Sequence, residues 1–436
     1  MAVQRKRTKK RYCNESFLDR FLTLLFYPLR VFIYYFLFQF VFRILFKFRH
    51  RVTFDKNGKK LPRGNFIVLG NHVSNWDGLY LNTYLCRFIY FLVHDEAFKY
   101  KIASGILTKV LGQIKRGNKK SDIGPLRKLI DIRNSGKNIG IFPEGDISHV
   151  GKSLHIRESI AKLCKILDLP VVTVRIDGAF HARPRWGYEV RKTKVRITIT
   201  DVISREEVEG FSQRELYERI VEGIRYNDNE YQKTHMIKAK AKRPAERLEN
   251  VLFLCPDCGR INCMKSSVDR LFCSRCGYEV RFNEYNQFEL ICGSNHFLNI
   301  EEWDEYQKAK LAEIVEWSRE SGQEILSFDG FTYDKVFDGQ YFYRPKSRGT
   351  LSINHERLKF VSEDGCIVEE YPVKEIRDLY IQFKGTVEFT FGKYRYRFMP
   401  DKLKQYGYWY ECFINAILKG QKAALSARAE KLSEVY

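Results

Sequence analysis

Hydrophobic and polar positions divide the chain before any motif is read. From Phe17 to Arg49 the residues are dense in Phe, Leu, Ile and Tyr, and the cleanest unbroken run, Val31–Phe42, is 12 residues long. At about 1.5 Å per residue such a helix reaches roughly 18 Å, against a hydrocarbon core of about 30 Å. Extension back to Phe21 places Pro28 and Arg30 inside the run. A central arginine costs roughly 2.5–3.5 kcal/mol on insertion. The pattern predicts two helices, about 15–28 and 29–48, lying in one leaflet. Arg20, Arg30, Arg43 and Lys47 would reach back to the headgroups. A cleavable leader is not expected, because the apolar region runs on without a small-residue cleavage site.

Residues 51–225 then alternate between short branched apolar runs and amphipathic stretches. Strands are predicted over 66–70, 88–93, 139–143, 170–176 and 193–200, with helices over 78–86, 99–111, 122–135, 156–168 and 213–225. Ser121 is a candidate cap for the third of these helices. Alternation of this kind implies α/β layers. Residues 226–250 turn polar and basic and are expected to be a linker or an unpartnered, solvated helix.

Beyond the linker, Cys255-x-x-Cys258 and Cys273-x-x-Cys276 form two knuckles separated by 14 residues. Four thiolates at this spacing predict a zinc ribbon over 251–298, with Cys263 and Cys292 as spare thiols. All four positions around the metal are then filled, so the site is structural. Asn299, with Glu302 three residues on, is expected to cap an amphipathic helix within 299–325 that carries Trp303, Tyr306, Leu311, Ile314 and Val315 on its apolar face. Period-two patterning follows over 326–420, as at Val387, Phe389 and Phe391, and ends in a helix near 402–419 with Trp409, Phe413, Ala416 and Ile417 on one face. This mostly β unit loosely resembles a pleckstrin-homology-like lipid-binding module. Residues 421–436 are read as a tail.

Composition changes the picture in two ways. At 436 residues the chain is too long for one ordinary core. A net charge of +22 favours polyanions. Arg5, Lys6, Arg7, Lys9, Lys10 and Arg11 stand beside the apolar head, so an anionic membrane surface is the expected partner and nucleic acid is not. Eleven cysteines, four of them in paired knuckles, suit metal binding in a reducing compartment better than a disulfide framework.

Candidate chemistry sits at the exit of the strand Phe66–Gly70, where His72 and Asp77 stand five positions apart in Asn71-His72-Val73-Ser74-Asn75-Trp76-Asp77. Ligands of open α/β sheets bind beyond the carboxyl ends of strands. There an imidazole takes a proton from a hydroxyl, and a carboxylate on its second nitrogen holds the tautomer. A second strand ends in Phe142-Pro143-Glu144-Gly145.

With Ile114-Lys115-Arg116-Gly117 between them and Leu169-Pro170-Val171-Val172 after, these blocks resemble the glycerolipid acyltransferase family, which includes the lysophosphatidic acid acyltransferases. The resemblance covers about residues 15–225. It implies an O-acyltransferase that moves an acyl chain from a thioester, on coenzyme A or acyl carrier protein, to the hydroxyl of a lysophospholipid, with 1-acylglycerol-3-phosphate as the leading acceptor. It implies His72 as general base, Asp77 as its orienting partner, and backbone amides after Asp77 as oxyanion donors. Lys115, Arg116 and Gly117 would take the acceptor's phosphate, and Phe142, Pro143, Glu144 and Gly145 would shape the acceptor site. Glu144 would bond an acceptor hydroxyl or order the cations. It also implies a peripheral or monotopic enzyme of phospholipid biosynthesis on the cytoplasmic face. One departure stands out: Ile147 occupies the place where many relatives carry Arg, and Lys152 or Arg157 are the nearby substitutes.

The fold class read from the chain is thus an α/β acyltransferase domain (51–225) after a membrane-associated helical pair (1–50), followed by a zinc ribbon and a mostly β unit ending in a helix. Two other readings use the same residues. One is a catalytically quiet lipid-binding adaptor that recruits partners through its ribbon and C-terminal unit. The other is nucleic-acid binding through the ribbon and basic linker.

Overall fold

The computed structural model describes residues 32, 34–93, 114–115, 124–187, 189–337, 347–382, 385–401 and 406–433. The first sheet contains β1 (Thr53–Asp55), β2 (Ile67–Gly70), β3 (Ile89–Val93), β4 (Ile114–Lys115), β5 (Asn138–Ile141), β6 (Val171–Asp177) and β7 (Arg196–Ile203), in the order β1-β7-β6-β2-β5-β3-β4. From β6 through β4 all neighbours are parallel, and β7 runs antiparallel to β6. The carboxyl ends of β2, β3, β4, β5 and β6 therefore share one edge. The five strands expected from sequence land on β2, β3, β5, β6 and β7; β1 and β4 span only 3 and 2 residues, too short to show a period.

β2 is buried on both faces, as its branched run requires. Ile67 and Leu69 pack with Leu129, Ile160 and Leu216 on one side. Val68 packs with Tyr80, Leu81 and Val172 on the other. The helices that supply these layers are α1 (Arg43–Arg49), α2 (Asp77–Tyr84), α3 (Gly124–Asn134), α4 (Ser159–Leu167), α5 (Ala179–Ala182), α6 (Arg205–Gly210), α7 (Gln213–Ile224) and α8 (Asp228–His235). Ser204 and Ser212 start α6 and α7 with reciprocal capping boxes to Glu207 and Glu215. The helix expected over 99–111 and the cap at Ser121 lie outside the described residues, as do the helix over 15–28, Arg20 and Arg30.

A π-helical stretch, Tyr35–Phe42, runs into α1. Its side chains sort by fours. Tyr34, Phe38 and Phe46 are buried, whereas Phe36, Phe40, Ile44 and Phe48 are exposed. Arg43, expected at the headgroups, instead donates to the Thr83 carbonyl at 3.0 Å and the Gln39 amide oxygen at 3.2 Å. Its reach is turned inward because α2 packs beside it. Lys47 is exposed. No helix among the described residues is long and apolar enough to cross a membrane.

Residues 226–250, expected to be a linker, are instead packed. α8 lies there, and the buried carboxylate of Asp228 accepts the amides of Gly178 and Phe180 at 2.8 and 2.9 Å. Ala239, Ala245 and Leu248 are buried as well. A basic composition does not reveal these few inward positions.

The ribbon carries β8 (Met264–Ser267), β9 (Arg270–Cys273), β10 (Glu279–Phe282) and β11 (Phe288–Cys292). α9 (Ile300–Ser321) follows, with Asn299 accepting the Glu302 amide and Gly322 ending the helix at φ 71°. Trp303, Leu311 and Val315 are buried, as the apolar face predicts.

A last antiparallel sheet contains β12 (Leu326–Phe337), β13 (Ser347–Ile353), β14 (Arg357–Ser362), β15 (Val368–Pro372), β16 (Arg377–Ile381), β17 (Val387–Phe391) and β18 (Tyr394–Met399), in the order β15-β14-β13-β12-β18-β17-β16. The final helix, α10 (Gly407–Ser433), runs on through the expected tail. Trp409, Phe413 and Ile417 are buried on one face.

Candidate active site

The site grows from the end of β2. β2 and β5, the two motif strands, pair side by side, and a side chain at Gly70 would place its Cβ a tight 3.3 Å from the Phe142 ring, so the glycine lets that ring close over the strand's end. Asn71 follows, fully buried. Its amide nitrogen donates to the Ile176 carbonyl at 2.8 Å and its oxygen accepts the Ile176 amide at 2.7 Å. The turn is thereby fastened to β6 before the chain leaves the sheet.

His72 projects from that turn. Its Nδ1 lies 2.9 Å from Asp77 Oδ2. The same carboxylate oxygen accepts the amides of Val73 at 2.8 Å and Ser74 at 2.9 Å. Burial pushes the Asp77 carboxyl upward, and the His72 bond and these two amides pull it back. With Asp77 as acceptor, Nδ1 carries the proton and Nε2 is left as an acceptor. The His72 side chain is 22 % exposed, whereas that of Asp77 is fully buried. Such a pair can remove a proton from a hydroxyl brought to the Nε2 face. The ring lies flat on Phe142, with centroids 4.4 Å apart and planes 11° apart, and Phe142 stacks in turn on Phe91. The amides of Val73, Ser74, Trp76 and Asp77 are all engaged inside the turn.

Glu144 belongs to the frame of this turn. Its Oε1 accepts the His72 amide at 3.0 Å and its Oε2 accepts the Leu154 amide at 2.7 Å. Burial pushes its carboxyl up to about 8, against the pull of both amides. Glu144 thus holds backbone at each of its oxygens, a framing role that the expectation of an acceptor or cation contact did not include. Pro143 and Gly145 form the turn between, with Gly145 at φ 76° and its amide on the Phe142 carbonyl at 3.1 Å.

Lys115 lies on β4, in register with Val93 at the same sheet edge as His72. Arg116 and Gly117 lie outside the described residues. Of the substitutes for the missing cation at 147, Lys152 is bound to Glu301 and Glu305 at 2.8 Å each, while Arg157 is exposed. Ile147 itself is buried. A cavity of about 780 Å³ opens beside the same loop, bounded by Leu154, Arg175, Tyr217, Arg225 and Tyr226; His72 and Asp77 do not line it.

Residues 51–177 match the family model described as Acyltransferase. That stretch is similar to the acyltransferase family, and it holds β1 through β6 and both motif blocks. Among solved structures, the crystal structure of the 1-acyl-sn-glycerophosphate (LPA) acyltransferase PlsC from Thermotoga maritima is similar to this chain at 22 % identity, with a TM-score of 0.40, covering 47 % of this chain and 82 % of that one. No curated protein matches the chain in sequence.

A second constellation lies in the ribbon. The Sγ atoms of Cys255, Cys258, Cys273 and Cys276 all fall within 4.8 Å of one another. Cys255 and Cys276 are 3.6 Å apart, and Cys258 and Cys273 3.8 Å. A tetrahedral ion with bonds of about 2.3 Å requires edges of roughly 3.8 Å, so the four thiols fit a metal of zinc's size and softness. Cys263 is buried nearby with its thiol on the Arg260 carbonyl, and Cys292 is exposed.

Proposed function

We propose that the protein is a membrane-associated O-acyltransferase that moves an acyl chain from a thioester to the hydroxyl of a lysophospholipid, with 1-acylglycerol-3-phosphate as the leading acceptor. The observation that carries this reading is the 2.9 Å bond between His72 Nδ1 and Asp77 Oδ2, in a family-matched domain, with Nε2 unbonded among the described residues at the carboxyl edge of the sheet.

Nε2 of His72 takes the acceptor's hydroxyl proton as the oxygen attacks the thioester carbonyl. This step is worth about 10²–10⁴-fold. Asp77 stabilises the imidazolium. The tetrahedral intermediate collapses with cleavage of the C–S bond, and the imidazolium returns its proton to the thiolate. The new bond is an oxygen ester, the leaving group is a thiol, and no residue becomes acylated. With the turn's own amides engaged, those of Gly78 and Leu79 at the start of α2 are the donors assigned to the oxyanion. Lys115 and Arg116 are assigned the acceptor's phosphate, Arg116 through two parallel bonds.

The exposed Phe36, Phe40, Ile44 and Phe48 support seating on a membrane, and the +22 charge supports an anionic leaflet on the cytoplasmic face. A structural zinc ion is assigned to Cys255, Cys258, Cys273 and Cys276. The seven-stranded C-terminal sheet with its closing helix is assigned as a pleckstrin-homology-like unit.

The test is incubation of detergent-purified protein with acyl-coenzyme A or acyl carrier protein and a panel of lysolipids, followed by thiol release and product mass. Product that vanishes in His72→Ala is expected. Equal product from that variant, or none from wild type with either donor, would overturn the reading.

A further inference from the structure

The loop Glu144–Lys152 follows β5 and holds His72 by its backbone through Glu144 Oε1. The loop is also bonded to the turn itself, Ser148 donating its amide to the His72 carbonyl, and to α8, through the Asp228 amide on the Gly151 carbonyl and the Asn229 side chain on the Val150 carbonyl. Three further contacts come from beyond the family-matched stretch and tie the loop toward the ribbon and the C-terminal sheet. Arg185 is the first. Its side chain is 6 % exposed and its Nη1 lies 2.9 Å from Asp146 Oδ1. The same nitrogen donates to the Ile147 carbonyl at 3.0 Å, and Nη2 donates to the Ile381 carbonyl at the end of β16. One guanidinium thus ties the loop to the C-terminal sheet. A buried ion pair that loses one member leaves the other charge without compensation.

The second contact is a stack of the His149 ring on Tyr408 of α10, with centroids 4.3 Å apart. Tyr408 donates its hydroxyl to Asp304 Oδ1 at 2.8 Å, and Lys308 holds the other oxygen at 2.6 Å. The third is Lys152, fixed by Glu301 and Glu305. These acids lie on α9, whose Trp303 donates to the Leu254 carbonyl beside the first cysteine knuckle at 3.0 Å. At the junction of His149, Arg185, Ile381 and Tyr408 the void is only about 20 Å³. That is room for about one water, so the parts meet as a packed joint rather than a hinge.

We propose that Arg185 is a positioning residue for His72, acting through the Glu144–Lys152 loop, and that the ribbon and C-terminal half form the buttress that keeps it in place. Those parts then complete the catalytic unit and are not detachable modules. Disturbance of the joint would reach the imidazole through Glu144, without any contact to substrate. The kinetic arm of this inference rests on the proposed acyl transfer; the structural arm does not.

Both arms use the full-length chain. Hydrogen exchange is followed at the His72 and Leu154 amides, the two groups that Glu144 binds. Arg185→Ala should speed exchange at both by about tenfold or more, with Arg185→Lys intermediate because it retains the charge but not the fork. In the assay, kcat should fall roughly 10–100-fold, with KM changed far less. An Arg185 that merely stabilised the fold would lower the melting temperature and leave the protection of these two amides unchanged. That outcome overturns the proposal. If Arg185→Ala does not fold, Asp146→Asn breaks the ion pair alone and must show the same faster exchange. If wild type transfers no acyl chain, the proposed function falls and the exchange arm alone decides the joint.

Discussion

Glu144 shows how a single motif residue acquires its role. As a bare carboxylate between a Pro and a Gly it reads as a substrate ligand, yet its two oxygens close on backbone amides from two separate segments. Glu144→Gln must turn an NH₂ group toward one of those amides. Leaving buried donors unmatched costs about 1–3 kcal/mol. The pH dependence carries a definite sign. The folded value of about 8 lies above the ordinary 4.5, so the folded chain keeps a proton that the unfolded chain has already released. The carboxyl's stabilising share is complete below about 4.5 and is lost as pH rises through about 8. The stability of wild type minus that of Glu144→Gln should therefore fall across that window, as measured by urea unfolding at its two ends. A difference that rises with pH would contradict the assignment. The pairing of His72 with Asp77 was legible because their spacing and their strand are local. The partners of Asn71 and Phe142, and Arg185 altogether, were not, because those contacts lie on other strands or in another half of the chain.

The helix leading into α1 illustrates what periodicity conceals at the scale of an element. An all-apolar run gives no contrast between faces, so sequence predicts only burial in something. The structure divides the run, with Phe46 against Tyr80 at 4.5 Å and Phe36, Phe40 and Phe48 facing outward. Serine at those three outward positions should weaken flotation with anionic liposomes on the order of tenfold or more, since burying a Phe is worth roughly 1.5–3 kcal/mol. The melting temperature should hardly move. Phe46→Ala should do the reverse, with a loss of about 3–5 kcal/mol in folding stability. Full retention of the triple variant on liposomes would sink the anchoring role. Deletion of the whole head is a poorer test, because it would also strip Phe46 from the core.

Across the whole molecule, the four cysteines and α9 form one block. Trp303 and Tyr306 donate to the carbonyls of Leu254 and Pro256, on either side of Cys255. Protein purified without chelator should contain about one zinc per chain, held by four thiolates. Chelation or Cys276→Ser should release it and lower the melting temperature, as read by elemental analysis and calorimetry. Protein that is metal-free and equally stable would remove the ion from the structure.

By itself the sequence determined the local facts. The branched runs that became β2 and β5, the His72 and Asp77 spacing, the two cysteine knuckles and the capped helix at Asn299 all rest on neighbours within a few residues. Tertiary structure alone decided that 226–250 packs rather than links, that Arg43 turns inward, that Glu144 binds backbone, and that Arg185 ties a motif loop to a sheet some 196 positions away. The physical reason is the same in each case. Which polar group is buried beside which other is set by the packing of distant elements, and no local period encodes it.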